Sequence, residues 1–187
     1  MSRLSHVIGF DDAPFSPEHR GDVLVVGALF SGLRLDGVLS GKVRRDGANA
    51  TGTLIRLVGE SRFRDQVQAV LTQGIAFAGF NVIDIRALHE ALGIAVVAIS
   101  RRRPDLDRVR RALMGGVPGG PRKWAIIERT GPMERIGRLY VQRAGIGPAD
   151  AKRLIERLAV NGVLPEPVRT AHLIAGGIAR GESRHRP

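Results

Sequence analysis

The stretch Val67–Ser100, VQAVLTQGIAFAGFNVIDIRALHEALGIAVVAIS, predicts a strand, a glycine-rich loop, a helix and a second strand. Residues 67–73 at its start predict a strand that runs into the glycine-rich loop, and residues 94–100 (IAVVAIS) predict a second, buried strand. Between them, residues 81–93 have amphipathic helical spacing and end on a glycine, which is a common helix stop. Strands joined through a helix favour a parallel pair with a helical crossover.

Three strand-like segments precede this unit. They are 6–12 (HVIGFDD), 22–32 (DVLVVGALFSG) and 33–47 (LRLDGVLSGKVRRDG). Their connections are short, so the segments predict a three-strand antiparallel meander. A helical face of Leu54, Ile55 and Val58 then leads to the strand at residue 67. The expected fold class is α/β, with a central mixed sheet in which parallel strands follow the meander and helices flank the sheet.

The next section is strongly basic. Residues 101–123 carry eight Lys or Arg against two Asp, and the segment 104–114 within them predicts a helix. The segments 122–131 (RKWAIIERTG) and 138–145 (RLYVQRAG) predict two short strands that could form a hairpin.

Two further helices are indicated near the C-terminus, at 147–162 and 165–181. Beyond them, residues from about 181 to 187 are polar and cationic and predict a mobile basic tail. Neither a repeat nor a linker composition divides the chain, so one domain is expected over residues 1–187.

Composition narrows the chemistry that the chain can perform. It has no cysteine, which excludes disulfides, thiolate zinc sites and thiol nucleophiles. Any metal must be held by carboxylate, imidazole or carbonyl groups, and these favour Mg²⁺ or Mn²⁺. The sequence shows neither an apolar run of bilayer length nor a signal peptide, so no membrane partner is expected and the expected location is cytoplasmic.

The charge points to a polyanionic partner. The formal net charge is +11, and 26 of the 29 basic residues are arginine. The arginine fork suits bidentate phosphate contacts, so nucleic acid is the first partner to consider. The alternative is that the arginines reflect coding bias and are simply solvated.

Two adjacent carboxylates, Asp11 and Asp12, end the first predicted strand. Neighbouring strand residues point to opposite faces, so at most one of them enters a given site. The pair is either a metal site at the strand end or a solvated turn before Pro14. Asp36 would face Asp11 if the first and third strands were neighbours, and otherwise Asp36 and Gly37 mark a bulge.

The glycine-rich loop after Gln73 carries two aromatic rings, Phe77 and Phe80. They could stack on a nucleobase or belong to the core. Asn81 is expected to cap the following helix. His172 lies on a predicted helix and is interpreted as a structural histidine. The sequence contains no recognisable Ser-His-Asp set or phosphate-binding glycine loop.

Three motifs resemble those of a known family. They are GFDDAPF (9–15), LTQGIAFAGFNVIDIRALHE (71–90) and PEPVRTAHLIAGGIARGESR (165–184). Together they resemble the endonuclease dU family, over nearly the whole chain. That family is in turn similar to endonuclease V, which has a ribonuclease H-like fold. The resemblance implies this fold and a metal-dependent phosphodiesterase that acts on DNA carrying uracil or other deaminated bases, with DNA favoured over RNA.

The resemblance also implies site residues. Asp11 matches the metal-binding aspartate on the first strand of that fold. Where the fold has an aspartate before a glycine, this chain has Gln73, whose amide oxygen can coordinate Mg²⁺ without adding charge. The late strand–helix junction, RAGIG (143–147), lacks the histidine of endonuclease V. The predicted catalytic residues are Asp11, Asp36 and Gln73, with Mg or Mn held by Asp11 and Asp36.

The residues predicted to bind nucleic acid are aromatic or basic. They are Phe77, Phe80, Arg101, Arg102, Arg103, Arg108, Arg111 and Arg169. Two alternatives to a nuclease stay open: a catalytically weak or inactive nucleic-acid-binding protein on the same scaffold, and a small-ligand module built on the GIAFAGF loop.

Overall fold

A seven-stranded mixed sheet organises the chain in the computed structural model, which describes residues 4–183. The strands are β1 (His6–Asp12), β2 (Asp22–Ser31), β3 (Arg34–Arg44), β4 (Ala69–Gln73), β5 (Ala76–Phe77), β6 (Asn81–Val82), β7 (Ala95–Ser100), β8 (Glu134–Ile136) and β9 (Leu139–Ala144). Their order in the large sheet is β3-β2-β1-β4-β7-β9-β8, and β5 pairs with β6 in a separate small hairpin.

The strand directions confirm the predicted mixed sheet. β1, β2 and β3 form an antiparallel meander, and β1, β4 and β7 run parallel to one another. β9 returns antiparallel to β7 and pairs with β8. β2 lies between β1 and β3, so the premise that the first and third strands are neighbours is wrong.

Helices cover both faces of the sheet. They are α1 (Ala50–Gly59), α2 (Ile85–Leu92), α3 (Leu106–Met114), α4 (Gly120–Thr130), α5 (Pro148–Leu158) and α6 (Glu166–Arg180). α1 and α2 pack on one face, and α5 and α6 pack on the other. α3 and α4 form a helical hairpin whose small apolar cluster centres on Val82, Leu113 and Ile127.

The centre of the sheet depends on one glycine in β1. A Cβ at Gly9 would lie 2.3 Å from the backbone carbon of Pro167 and 2.4 Å from the nitrogen of Val168. The start of α6 therefore rests directly on the backbone of β1, an approach that only glycine permits. This contact sets the position of the whole helix over the sheet.

The prediction of a strand for residues 122–131 is wrong, because most of that segment forms α4. Pro121 suits the first turn of a helix. Lys123 and Ile127, four residues apart, are both buried on one face of the helix. Tertiary burial at helical spacing outweighs the strand propensity of the Trp and Ile residues. The strand predicted within 138–145 is confirmed as β9, but its hairpin partner is β8 (Glu134–Ile136) and not the segment 122–131.

The residue that caps α2 differs from the one expected. The N-cap of α2 is Asp84, which accepts a hydrogen bond from the backbone N–H of Ala87, and not Asn81.

Of the predicted mobile tail, residues 184–187 lie outside the described part of the chain. Within residues 4–183, no helix has the length and apolar character needed to cross a bilayer.

Candidate metal and nucleic-acid site

The carboxyl end of β1 holds a buried carboxylate paired with a partly exposed histidine. Asp11 is 3% exposed, and its Oδ2 lies 2.8 Å from Nδ1 of His172 on α6. Its Oδ1 accepts a hydrogen bond from the backbone N–H of Asp12 at 2.9 Å. An ionised carboxylate can only accept a hydrogen bond, so Nδ1 of His172 is the donor in this contact. In the neutral imidazole with its proton on Nδ1, the free lone pair is on Nε2.

The sequence builds this pair through the close approach of α6 to β1. Pro167 and Val168 rest on Gly9, and His172 follows about one helical turn later, while Asp11 follows two residues later on the strand. A helical turn rises about 5.4 Å and two strand residues about 6.6 Å, so the two side chains meet. The helix thereby brings together residues 161 positions apart in the chain.

Gln73 occupies the adjoining position on β4. Phe10 pairs with Thr72 in the parallel register, so the next residues, Asp11 and Gln73, stand side by side at the strand ends. Residues in register on parallel strands project to the same face, on strands about 4.8 Å apart. The Oε1 of Gln73 is buried and has no hydrogen-bond partner among residues 4–183. Such an orphaned acceptor beside a carboxylate is what a bound cation would satisfy.

These residues could hold a Mg²⁺ or Mn²⁺ ion that has few protein ligands. No group of three or more His, Cys, Asp or Glu side chains within residues 4–183 is placed to hold a metal. Mg²⁺, however, needs only one or two protein carboxylates when water and phosphate oxygens complete its shell. The available donors are the carboxylate of Asp11, the amide oxygen of Gln73 and Nε2 of His172.

Asp12 points to the opposite face, as alternation along a strand requires. Its Oδ2 accepts a hydrogen bond from the backbone N–H of Ala78 at 2.7 Å, which ties the loop after β4 to the end of β1. Burial, together with the nearby charge of Asp11, raises the pKa of Asp12 to about 7. The solvated-turn alternative is therefore wrong, because Asp11 is buried and the side chains of both residues are engaged.

Asp12→Asn should flatten the dependence of stability on pH. The folded chain holds a proton on Asp12 that the unfolded chain releases, because the pKa is 3.8 when unfolded and about 7 when folded. In EDTA, the wild-type free energy of unfolding should therefore fall as the pH rises through this window. Asn is neutral at every pH, so its free energy of unfolding should exceed that of wild type at about pH 8. At about pH 5 this advantage of the variant should be smaller or lost. Thermal melting at both pH values checks this, and parallel curves would contradict it.

The structure does not bring Asp36 to this site. Asp36 lies on β3, across β2 from β1, and its Oδ1 accepts a hydrogen bond from Nε of Arg34 at 2.7 Å. That hydrogen bond lowers the pKa of Asp36. The β2–β3 register shifts next to this position, so the bulge alternative is confirmed. Asp36 is consequently not a partner of Asp11 in holding a metal.

The two predicted aromatic residues differ in position. Phe77 is fully buried in the main core, so the structure confirms the core alternative for it and leaves no face for a base. Phe80 is half-buried and lines a cavity between the α3–α4 hairpin and the sheet. Its backbone N–H donates to Oδ1 of Asp46, which fixes the loop beneath the ring.

The predicted basic residues separate into two groups. Those in the segment from β7 to α3 are exposed: Arg101, Arg102, Arg103, Arg108 and Arg111. Arg169 instead donates two or more hydrogen bonds to the buried carboxylate of Glu166, at 2.8–3.0 Å. Burial would raise the pKa of Glu166, but the hydrogen bonds from Arg169 and Asn161 outweigh it and lower that pKa. Arg169 is therefore a structural residue that anchors the start of α6.

Arg169→Met should destabilise the fold without a specific effect on nucleic-acid binding. It leaves the buried Glu166 carboxylate without its cation, at a cost of about 1.5–3 kcal/mol at neutral pH. Because the Glu166 pKa is lowered, this difference should shrink as the pH falls and the carboxylate takes up a proton. Urea unfolding measures it, with the exposed Arg108→Met as control. If Arg169→Met weakened binding to a DNA strand more than Arg108→Met did while staying stable, the structural role would be wrong.

The comparison with protein families agrees with the geometry. The model of the endonuclease dU family matches residues 3–179. The chain belongs to the endonuclease dU family. Among relatives of this endonuclease dU family member, a UPF0215 protein of Deinococcus radiodurans is 55% identical over 181 residues, which is 97% of this chain and 92% of that protein. A UPF0215 protein of Methanothermobacter thermautotrophicus is 42% identical over 182 residues, covering 95% and 89% of the two chains.

Solved structures place the family in a known fold. A crystal structure of an Archaeoglobus fulgidus protein is 34% identical and superposes with a TM-score of 0.86, covering 92% of this chain and 97% of the other. Human endonuclease V is 16% identical and superposes with a TM-score of 0.60, covering 92% of this chain and 83% of the other. A Ciona intestinalis endonuclease V is 12% identical and superposes with a TM-score of 0.59, covering 90% of this chain and 83% of the other. That structure is a complex with a 24mer DNA containing an inosine followed by a ribo-adenosine. The endonuclease dU chain thus has the ribonuclease H-like fold that the resemblance implied.

Sequence reasoning missed His172, which it interpreted as a structural histidine. No spacing signal links residue 172 to residue 11. The available signal was the motif that contains His172, PEPVRTAHLIAGG, because its glycines and alanines allow close packing of a helix against a sheet.

Proposed function

We propose that this protein is a metal-dependent endonuclease that hydrolyses phosphodiester bonds in DNA containing uracil or other deaminated bases. The observation that carries the proposal is the buried carboxylate of Asp11, paired with the partly exposed imidazole of His172, beside the orphaned amide oxygen of Gln73. It lies at the carboxyl ends of β1 and β4, where ligands bind in open α/β sheets. Membership of the endonuclease dU family supports the reaction class.

Each residue has a distinct role in this proposal. Asp11 and Gln73 would hold Mg²⁺ or Mn²⁺, which when bound polarises a phosphoryl oxygen and lowers the pKa of water. The carboxylate of Asp11 also orients the imidazole of His172 through Nδ1. Nε2 of His172 is then positioned to accept a proton from the attacking water or to return it to the leaving oxygen. Burial of Asp11 strengthens both interactions by excluding water.

The exposed arginines from Arg101 to Arg111 would bind the phosphate backbone. The segment begins at the end of β7, the parallel neighbour of β4, so it borders the carboxyl edge of the sheet. DNA is proposed over RNA because of the family description; the strand in the Ciona endonuclease V structure is a DNA in which a ribo-adenosine follows the inosine, so it does not separate the two. Binding through phosphates should weaken with salt, with a log–log slope of about −0.9 per neutralised phosphate on duplex DNA.

The direct test is cleavage of an end-labelled DNA strand that contains one uracil. Purified protein is incubated with Mg²⁺ or Mn²⁺, and a parallel reaction contains EDTA. The same strand with cytosine in place of uracil controls for base dependence. We expect a single nick in the presence of metal, near the uracil, and none in EDTA. Intact strand under all metal conditions would reject the proposal.

A second candidate function is a nucleic-acid-binding protein without catalysis. It is favoured by the single acidic ligand at the site, since Gln73 supplies no charge. Salt-dependent DNA binding without cleavage at any metal concentration would support it. Metal-dependent cleavage that is lost when Asp11 is replaced would exclude it.

A further inference from the structure

An apolar cavity of about 480 Å³ lies under the α3–α4 hairpin and next to the proposed catalytic edge. Gly74, which follows Gln73 on β4, and Ser100, the last residue of β7, both line it. The cavity is therefore adjacent in the chain to the residue proposed to hold the metal. Phe80 and Trp124 contribute aromatic surface to its wall.

Two residues of this wall keep a polar atom without a partner. The indole Nε1 of Trp124, on α4, is a buried donor with nothing to donate to. Gln142, on β9, is 5% exposed, and its Nε2 donates to the carbonyl oxygen of Gly131 at 2.6 Å. That bond fixes the orientation of the amide and leaves Oε1 as a buried acceptor without a partner. Uncompensated buried polar atoms are rare, and a ligand that supplies both partners would explain them.

We propose that Trp124 and Gln142 are specificity-determining residues that read the C=O and N–H edge of a deaminated nucleobase held in this cavity. The proposal rests on the proposed function, because a nuclease for damaged DNA must recognise the base as well as the phosphate. Uracil presents a carbonyl oxygen beside the N3–H, so it offers an acceptor to the Trp124 N–H and a donor to the Gln142 oxygen. Cytosine presents N3 as an acceptor there, so it would leave the Gln142 oxygen unsatisfied.

The same chemistry extends to purines. Hypoxanthine has a carbonyl beside N1–H, whereas adenine has an amino group beside an acceptor nitrogen. Thymine shares the edge of uracil, so the pair separates deaminated bases from their amino parents and does not separate uracil from thymine. A site that hydrogen-bonds a ligand rejects an analogue that lacks the matching group, because its own buried polar atoms are then unpaired.

The ligand reaches these atoms through a small displacement of α4. Neither atom is in contact with solvent in the free chain, so a base must displace the helix slightly to bond with them. Glycines in left-handed or extended positive-φ conformations flank the helix, Gly119 at φ 67° and Gly131 at φ 88°. Such positions absorb backbone rotation at low cost. Arg103, which also lines the cavity, is placed to contact the phosphate of the same nucleotide.

Binding without catalysis tests the proposal. A labelled single strand of about nine nucleotides with one central deoxyuridine is titrated with the full-length protein in EDTA, and fluorescence anisotropy is followed. The matched strand has deoxycytidine at that position. We expect the deoxyuridine strand to bind at least about tenfold more tightly. A strand with deoxyinosine should likewise exceed one with deoxyadenosine.

Variants then assign the preference to the two residues. Trp124→Phe and Gln142→Leu should each reduce the uracil preference to less than about threefold, chiefly by weakening the binding of the deoxyuridine strand. Phe80→Leu, which removes ring surface but no polar atom, should weaken both strands alike. Circular dichroism melting shows whether each variant is folded, and if Gln142→Leu does not fold, Trp124→Phe carries the test.

The outcomes separate this inference from the proposed function. Equal binding of the two strands by wild type, or an unchanged preference in both variants, would overturn the reading of the base by Trp124 and Gln142. If metal-dependent nicking still occurred, the proposed nuclease function would stand without it. A uracil preference in EDTA with no nicking under any metal would retain the base-reading site and reject the nuclease.

Discussion

Replacing Asp11 with Asn is expected to abolish metal-dependent cleavage of a uracil-containing strand. The variant keeps the size of the side chain but removes the carboxylate that contacts His172 and adjoins Gln73. It loses the carboxylate proposed to hold the metal, together with the charge that orients the imidazole. Metal-ion stabilisation of a phosphoryl transition state is worth several kcal/mol, so a loss of about 4 kcal/mol, or roughly a thousandfold in rate, is expected.

The control for this variant is Asp36→Asn. Asp36 is an aspartate that the sequence also suggested, but it lies across β2 and is paired with Arg34 at the surface. Its replacement should change the cleavage rate by less than about twofold. His172→Gln tests the partner of Asp11, and the double variant should be no slower than Asp11→Asn alone, because the two side chains act as a unit. Cleavage by Asp11→Asn at the wild-type rate would remove this site from the mechanism.

Replacing Gly9 with Ala is expected to cause a large loss of stability, measured as the free energy of unfolding. The added Cβ would lie 2.3 Å from the backbone carbon of Pro167, and backbone atoms cannot rotate away as a side-chain tip can. Either α6 lifts from the sheet or β1 shifts. Overpacking of this kind costs about 3 kcal/mol or more. Since His172 is carried by α6, cleavage should also fall in the fraction of protein that remains folded.

Gly52→Ala provides the matched control for Gly9→Ala. Gly52 is an exposed residue of α1, and nothing lies within 4 Å of a Cβ built there. The same substitution should therefore stabilise the protein by about 0.5–1 kcal/mol, because alanine loses less conformational entropy in a helix than glycine. Urea unfolding of both variants measures the contrast. Similar stabilities for Gly9→Ala and wild type would show that α6 does not rest on β1 in this way.

Much of the fold was predictable because burial leaves a local pattern. The strands β1, β2, β4 and β7 are short apolar runs, and α2 and α5 carry the amphipathic spacing that a helix on a sheet requires. α4 was the exception. Its Trp and Ile residues favour a strand by propensity, and only the burial of Lys123 and Ile127 against distant elements selects the helix.

The candidate site was only partly predictable. Asp11 could be found because a strand that ends in carboxylates needs an explanation, and the motif around it resembles a known family. Lys123 illustrates what the sequence hides: its Nζ donates to the backbone carbonyl of Asp46, 77 residues away, and burial lowers its pKa. Trp124 and Gln142 likewise have no feature in the sequence that marks them as neighbours of a common cavity.

By itself, the sequence determined the alternation of strands and helices, the basic character of the chain and the acidic end of its first strand, because each is recorded in the period or composition of a contiguous segment. Only the tertiary structure decided that His172 meets Asp11, that Gln73 stands beside it and that Asp36 does not. These pairings depend on strand order and on how closely α6 approaches β1. Both are set by contacts between residues far apart in the chain, which leave no periodic trace in either segment.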